Sequence, residues 1–248
     1  MKIEFHPLGD TGLQVLFGSD ISVETNQEIR LFADQLKKQE IDGVIEWVPA
    51  YTTLTIFYQP DKIIYKDLCK KLEDIQARLQ KEDVPSNSIV YEIPVLYGGE
   101  VGPDLPEVAT HNGCTEDEVI SIHSAQTYLI YMMGFVPGFP YLGGMPKEIA
   151  TPRRENPRAK IEAGSVGIAG EQTGVYPLET PGGWQIIGRT PVKLYDPERK
   201  EPILLSAGSY IRFVPVNQKE YEEIEEAVTR GEFKVKSYKK GGAHDENR

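Results

Sequence analysis

The segment Gly164-Ser165-Val166-Gly167-Ile168-Ala169-Gly170-Glu171-Gln172-Thr173-Gly174-Val175-Tyr176-Pro177 alternates small residues with apolar ones and ends in polar side chains. It lies inside a longer stretch, 128–212, in which the helical period disappears. Glycines and prolines there break up short apolar runs at 128–132, 165–169, 184–187, 192–195, 203–205 and 210–214. Many short runs separated by turn formers predict a β-barrel.

Upstream of this stretch the periods alternate. Residues 2–5 and 12–17 read as strands around a turn at 7–12, and Ile29, Phe32, Ala33 and Leu36 then make the one-sided stripe of a packed helix. Val44–Val48 and the alternating Leu54, Ile56 and Tyr58 flank Pro49-Ala50-Tyr51, so a hairpin is expected, ended by Pro60. Tyr65, Leu68, Cys69, Leu72, Ile75 and Leu79 mark a second amphipathic helix with Cys69 in its core face, and Ile89–Val95 reads as one more strand. Strand, helix, strand, strand, helix, strand is the order of a split βαβ, ferredoxin-like domain. The predicted fold class is therefore α+β, with a ferredoxin-like domain over 1–88, a barrel domain over 89–230 and a flexible polar tail over 231–248.

Between the two halves, Gly98, Gly99, Gly102, Pro103 and Pro106 predict a surface loop, followed by short helices at 105–110 and 116–123. Thr115 and Glu118 form a capping box for the second. The pair resembles a helix-turn-helix in outline, but Glu116, Asp117 and Glu118 would face phosphates. The formal charge of -11, from 27 basic and 38 acidic residues, opposes nucleic acid as well. A last helix, 219–228, presents Tyr221, Ile224 and Val228 on one side. Cys69 and Cys114 belong to no ligand-spaced cluster, and neither a basic leader nor an apolar run of about eighteen residues is present. A cytoplasmic protein with no membrane partner is expected.

Three segments carry candidate chemistry. Gly134–Pro146 combines glycines with prolines and offers Phe135, Phe139 and Tyr141, either as a rigid pocket wall or partner-binding edge, or as core filling at a barrel corner. Residues 151–160 hold Arg153, Arg154, Arg158 and Lys160, a local reversal of charge suited to an anion, or else a solvated loop paired to glutamates. Arg189 follows an apolar run and either ties down a loop or binds ligand. No phosphate loop, dinucleotide fingerprint or nucleophile elbow occurs, since Ser165 lacks the required spacing. His6, His111, His123 and His244 include no pair at metal-ligand spacing, so no metal site is expected. His123, at a helix end that favours positive character, is read as structural.

The blocks Gly134–Met145, Pro152-Arg153-Arg154, Pro157-Arg158, Ala163–Ala169, Gln172–Pro177, Pro181–Trp184 and Gly188–Pro191 resemble those of the allophanate hydrolase subunit 1 family, over about residues 1–230. One departure is Ile161-Glu162-Ala163-Gly164, where that family commonly has Val-Pro-Ala-Gly. The resemblance implies a small amino-terminal domain joined to a cyclophilin-like β-barrel, whose shape alone carries no isomerase activity. It further implies a non-autonomous subunit of an ATP-dependent 5-oxoprolinase, partnered by subunits C and A. The assembly turns 5-oxo-L-proline into L-glutamate with ATP, and Mg, as co-substrate. No biotin is expected on this chain, because Met132-Met133 is followed by Gly134. The same family includes an inhibitor of a sporulation histidine kinase, so inhibition by binding is the alternative. Arg153, Arg154, Gln172 and Arg189 are then the candidate catalytic groups, Arg158, Tyr176, Phe139 and Tyr141 the candidate substrate-binding groups, and Phe135, Phe139 and Tyr141 the partner-binding edge.

Overall fold

Strand β1 (Glu4–Leu8) and strand β2 (Gly12–Leu16) form the first hairpin of the computed structural model, which describes residues 3–79 and 88–240. Helix α1 (Val23–Gln39) starts at Ser22, whose hydroxyl accepts from the Thr25 amide at 3.0 Å and satisfies one of the free donors of the first turn. Strands β3 (Val44–Pro49) and β4 (Thr53–Tyr58) form the expected hairpin, and helix α2 (Tyr65–Arg78) follows. The sheet order is β1-β2-β4-β3, all antiparallel. Ile29, Phe32 and Leu36 of α1, Leu54 and Ile56 of β4 and Leu68, Leu72 and Ile75 of α2 share one core.

The chain divides into two compact units, Met1–Ser86 and Asn87–Arg248. The strand at 89–95, counted as the last of the ferredoxin-like strand order, pairs in the second sheet and not in the first. Its position beside β2 is taken by β1, which reaches that edge through a tight turn and so closes at lower entropic cost than a distant strand.

In the second unit, β5 (Ile89–Tyr97) is the central strand. It runs parallel to β13 (Tyr210–Pro215) and antiparallel to β12 (Gln185–Arg189) and β14 (Ser237–Lys239). The path continues from β12 to β9 (Ser165–Ala169) and β10 (Gln172–Val175), and from β13 to β6 (Thr127–Met133) and β7 (Pro140–Gly143). The two ends, β7 and β10, lie against each other, so the sheet nearly closes on itself. Helices α3 (Leu105–Asn112) and α4 (Glu116–Ser124) pack on this core through Leu105, Val108 and Val119. Both bonds of the capping box form, Thr115 N–H to Glu118 Oε2 at 2.7 Å and Glu118 N–H to Thr115 Oγ1 at 3.2 Å. Strands β8 (Arg158–Ile161) and β11 (Thr180–Gly182) make a separate ribbon, and α5 (Gln218–Thr229) buries Tyr221.

Three readings need correction. The runs at 192–195 and 203–205 are not strands but meet at one bridge, Tyr195 to Ile203, while Val192, Leu194 and Leu205 still enter the core. The Gly134–Pro146 segment, in which no separate apolar run was marked as a strand, contains β7. The polar tail includes a strand, β14, and residues 241–248 lie outside the described residues. Among the described residues no helix is long and apolar enough to cross a membrane.

Candidate functional site

Phe139, 3% exposed, is the hub of an aromatic cluster. It meets Phe135 at 5.7 Å, Tyr141 at 5.1 Å, Tyr176 at 5.7 Å and Trp184 at 5.9 Å between ring centroids, all edge to face. Each such contact stabilises by roughly 0.5–1.5 kcal/mol beyond burial. The turn that delivers these rings is tight. Val136 N–H donates to Gly134 C=O at 2.8 Å across Phe135, whose φ is +66°, so Phe135 sits at the centre of a strained γ-turn. Phe139 N–H donates to Val136 C=O at 3.1 Å, and Gly138 takes the second positive φ, +82°. The outcome is a ring, Phe135, left 65% exposed at the edge of the cluster.

These rings wall a cavity of about 340 Å³, which Arg153, Gln172 and the Gly182-Gly183 backbone complete. The aromatics thus do both things the sequence allowed: Phe139 fills a satellite core, and its neighbours face a pocket. Burial pushes the Tyr176 phenol up to about 12 against the opposing pull of Arg153. At neutral pH it therefore stays protonated.

The predicted arginines separate into different roles. Asp104, the residue before α3, is 3% exposed and accepts four hydrogen bonds: from Arg154 Nη1 at 2.8 Å, from Arg158 Nη1 at 2.7 Å and Nη2 at 2.8 Å, and from the Ile186 amide at 2.6 Å. Arg154 and Arg158 are therefore tied to a buried carboxylate, and the bonds to Asp104 push the Arg158 guanidinium further up. Arg153 is exposed and lines two cavities, the aromatic one and a polar one of about 360 Å³ that it shares with Arg154, Glu107, Glu155 and Gln185. Arg189 lines neither; its charge is felt by Glu162 and Tyr221. Of the predicted site residues, the structure thus brings Arg153, Gln172, Tyr176, Phe135, Phe139 and Tyr141 to one cavity. Asp104 carries no signal in the sequence, where it is one acid in a glycine-rich loop. Trp184 and Gln185 sit in and beside a family-like block, with nothing local to give either a role.

His123 is a core residue. Thr173 donates its hydroxyl to Gly167 C=O at 3.0 Å, so its oxygen accepts from His123 Nε2 at 2.8 Å, and Nδ1 accepts from Tyr97 O–H at 2.8 Å. The ring stacks on Phe213 at 4.6 Å, and burial lowers its pKa to about 3. The positive character expected at this helix end is overruled by desolvation. Among the described residues no group of three or more His, Cys, Asp or Glu side chains is placed to hold a metal ion.

Fold and site together define an α+β protein whose near-closed sheet carries a pocket of small-molecule size beside an exposed arginine. The chain belongs to the carboxyltransferase domain family, subdomain C and D, whose family model matches residues 3–205. It is 45% identical to the 5-oxoprolinase B subunit of Bacillus subtilis (strain 168) over 91% of this chain and 98% of that protein. It is 42% identical to the 5-oxoprolinase B subunit of Escherichia coli O157:H7 over 84% of this chain and 94% of that protein. Among solved structures, TTHA0988 superposes with a TM-score of 0.73 at 36% identity, over 83% of this chain. The match spans 40% of that longer protein.

Proposed function

We propose that this chain acts as the B subunit of an ATP-dependent 5-oxoprolinase, a non-autonomous part of an assembly with subunits A and C that converts 5-oxo-L-proline to L-glutamate. The observation that carries this reading is the identity of 40 to 45% to 5-oxoprolinase B subunits over most of both chains. The longer chain of TTHA0988, which contains a region like this one and more, supports a neighbour packed beside it. In this reading the first unit is ferredoxin-like and the second cyclophilin-like, and the protein works in the cytoplasm.

A lactam carbonyl is a poor electrophile and its amine a poor leaving group, so ATP must supply an activated, phosphorylated intermediate. Binding and orientation are what this chain contributes. Arg153 holds the substrate carboxylate, the Tyr176 hydroxyl and the Gln172 amide orient the ring's polar atoms, and Phe139 and Tyr141 pack on its methylene groups. Arg154 and Arg158 act on this site through Asp104, as positioning residues. Phe135 is the edge that meets the C subunit. ATP and its Mg belong to surfaces completed by the partners.

The test is to purify the three chains and measure L-glutamate release from 5-oxo-L-proline for every combination, with and without ATP, alongside co-elution of this chain with the C subunit. Release only by the full set with ATP is expected. Turnover by this chain alone defeats the shared-site reading, and failure to associate with the C subunit defeats the assembly reading. Suppression of sporulation-kinase autophosphorylation in that last case puts inhibition by binding first.

A further inference from the structure

Arg153 is the single charged residue among the described residues that line the aromatic cavity, and its guanidinium has neither an ion pair nor a hydrogen bond among them. Tyr176 supplies a second unfilled group. The residue is 3% exposed, and its hydroxyl makes no hydrogen bond among the described residues. The oxygen is nonetheless not sealed from solvent, so it opens on the cavity that the residue lines. Gly182 makes room for it: a Cβ there would stand 2.6 Å from Tyr176 Oη and 2.7 Å from Ile161 Cδ1. Native proteins rarely leave the polar group of a buried side chain unmatched, and one that faces a cavity marks a place for a ligand atom. The remaining walls are rings, the Gln172 side chain, Pro181 and glycine backbone, with no carboxylate among the described residues.

Such a cavity offers a place for one negative charge and one uncharged polar group, and no counter-charge for an ammonium. We infer that it discriminates by charged groups: it takes a small ring carrying one carboxylate and a neutral amide, and rejects the open-chain amino acid made from that ring. The inference rests on the 5-oxoprolinase reading, in which the ring is 5-oxo-L-proline and the open chain is L-glutamate. Both ions carry the same net charge at neutral pH, so long-range attraction to Arg153 does not separate them. Desolvation does. 5-Oxo-L-proline sets its carboxylate on Arg153 and its lactam against the Tyr176 hydroxyl, which leaves only methylene groups for the rings. L-glutamate held by one carboxylate brings a second carboxylate and an ammonium against aromatic walls. The attraction of that ammonium to a ring face is opposed by the nearby guanidinium. Ring opening thus turns a ligand that fits the cavity into one that does not, and the cavity that holds the substrate expels the product.

The experiment is an NMR titration of the full chain, following the indole N–H of Trp184 in the cavity wall. The ligands are 5-oxo-L-proline, L-glutamate and cyclopentanecarboxylate, which keeps the ring size and the carboxylate but has no lactam. 5-Oxo-L-proline is expected to shift the Trp184 signal and to bind about 10-fold more tightly than L-glutamate. Tyr176→Phe, which keeps the ring and removes the hydroxyl, is expected to weaken 5-oxo-L-proline about 5-fold and to leave cyclopentanecarboxylate unchanged. Gly182→Ala is the second arm, because its methyl group displaces the phenol oxygen, and a loss of about 5-fold or more is expected for 5-oxo-L-proline. Equal affinity for 5-oxo-L-proline and L-glutamate, no shift of Trp184 by either, an equal loss of both ring ligands in Tyr176→Phe, or wild-type affinity in both variants overturns the inference. If the closed ring is preferred as expected but the three-chain assembly releases no glutamate from it, the discrimination stands and the 5-oxoprolinase reading falls. Turnover by the assembly while this chain binds L-glutamate as tightly as 5-oxo-L-proline overturns the discrimination and leaves the 5-oxoprolinase reading standing.

Discussion

Arg153, Arg154 and Arg158 lie within six positions of one another, yet only the last two reach the buried carboxylate of Asp104, some fifty residues upstream. Their substitutions should therefore fail differently. In the full assembly, Arg153→Ala is expected to cut glutamate formation about 100-fold, the loss of a charged substrate contact, while the unfolding midpoint of this chain stays within about 2 °C. Asp104→Ala strands two guanidinium groups and the Ile186 amide, so chemical denaturation should show a loss of about 3–5 kcal/mol. Equal effects of the two variants on stability would refute the division of roles. His123 gives a pH test. Its ordinary value is 6.5 and its folded value about 3. Above pH 6.5 both states are neutral and nothing is lost; as pH falls below that, the unfolded chain takes up a proton that the folded chain refuses. Stability should thus decline by about 1.4 kcal/mol per pH unit between pH 6.5 and pH 3 from this group, and His123→Gln should remove that part of the slope. An unchanged slope in the variant would rule it out. At this scale the sequence shows that a basic cluster exists, but which arginine faces a ligand depends on where Asp104 lands.

The γ-turn at Phe135 is the element most open to test. A non-glycine residue at φ +66° stores strain, and glycine there releases it at the expense of the ring contact with Phe139. Phe135→Gly is expected to be about 1 kcal/mol more stable than Phe135→Ala, the opposite of the usual order, while both weaken association with the C subunit. Equal stability of the two variants in urea unfolding would remove the strain argument. Elements were legible wherever their signal is local. Helix α1, the β3–β4 hairpin and the capping box at Thr115 follow from neighbours within four residues. Strands β7 and β10 were hidden because Pro140-Tyr141-Leu142-Gly143 and Gln172-Thr173-Gly174-Val175 hold turn-forming residues, and only pairing with β6 and β9 makes them strands. The converse error, at 192–195 and 203–205, came from apolar residues that enter the core without laddering.

At the scale of the whole molecule, β14 decides how complete the second unit is. Ser237–Lys239 pairs with Ile89–Tyr91, the Lys240 amide donates to Ser88 C=O at 2.7 Å, and the Lys240 ammonium lies 3.4 Å from the Tyr210 ring centroid. Phe233 and Val235 pack on the core on the way. Deleting residues 232–248 is expected to cost about 2–4 kcal/mol from lost apolar burial and hydrogen bonds, and to speed hydrogen exchange at Ile89–Tyr91. Exchange rates unchanged by the truncation would show that β14 contributes nothing. Taken by itself, the sequence determined the α+β class, the helices and the presence of aromatic and basic blocks, because periodicity, capping and composition act over a few residues. Only the tertiary structure decided that β1 and not β5 completes the first sheet, that Asp104 claims Arg154 and Arg158, and that Arg153 stands between an aromatic and a polar cavity. Those outcomes depend on which distant residues meet when a nearly closed sheet brings β7, β10 and β12 around one space, and no local pattern encodes that meeting.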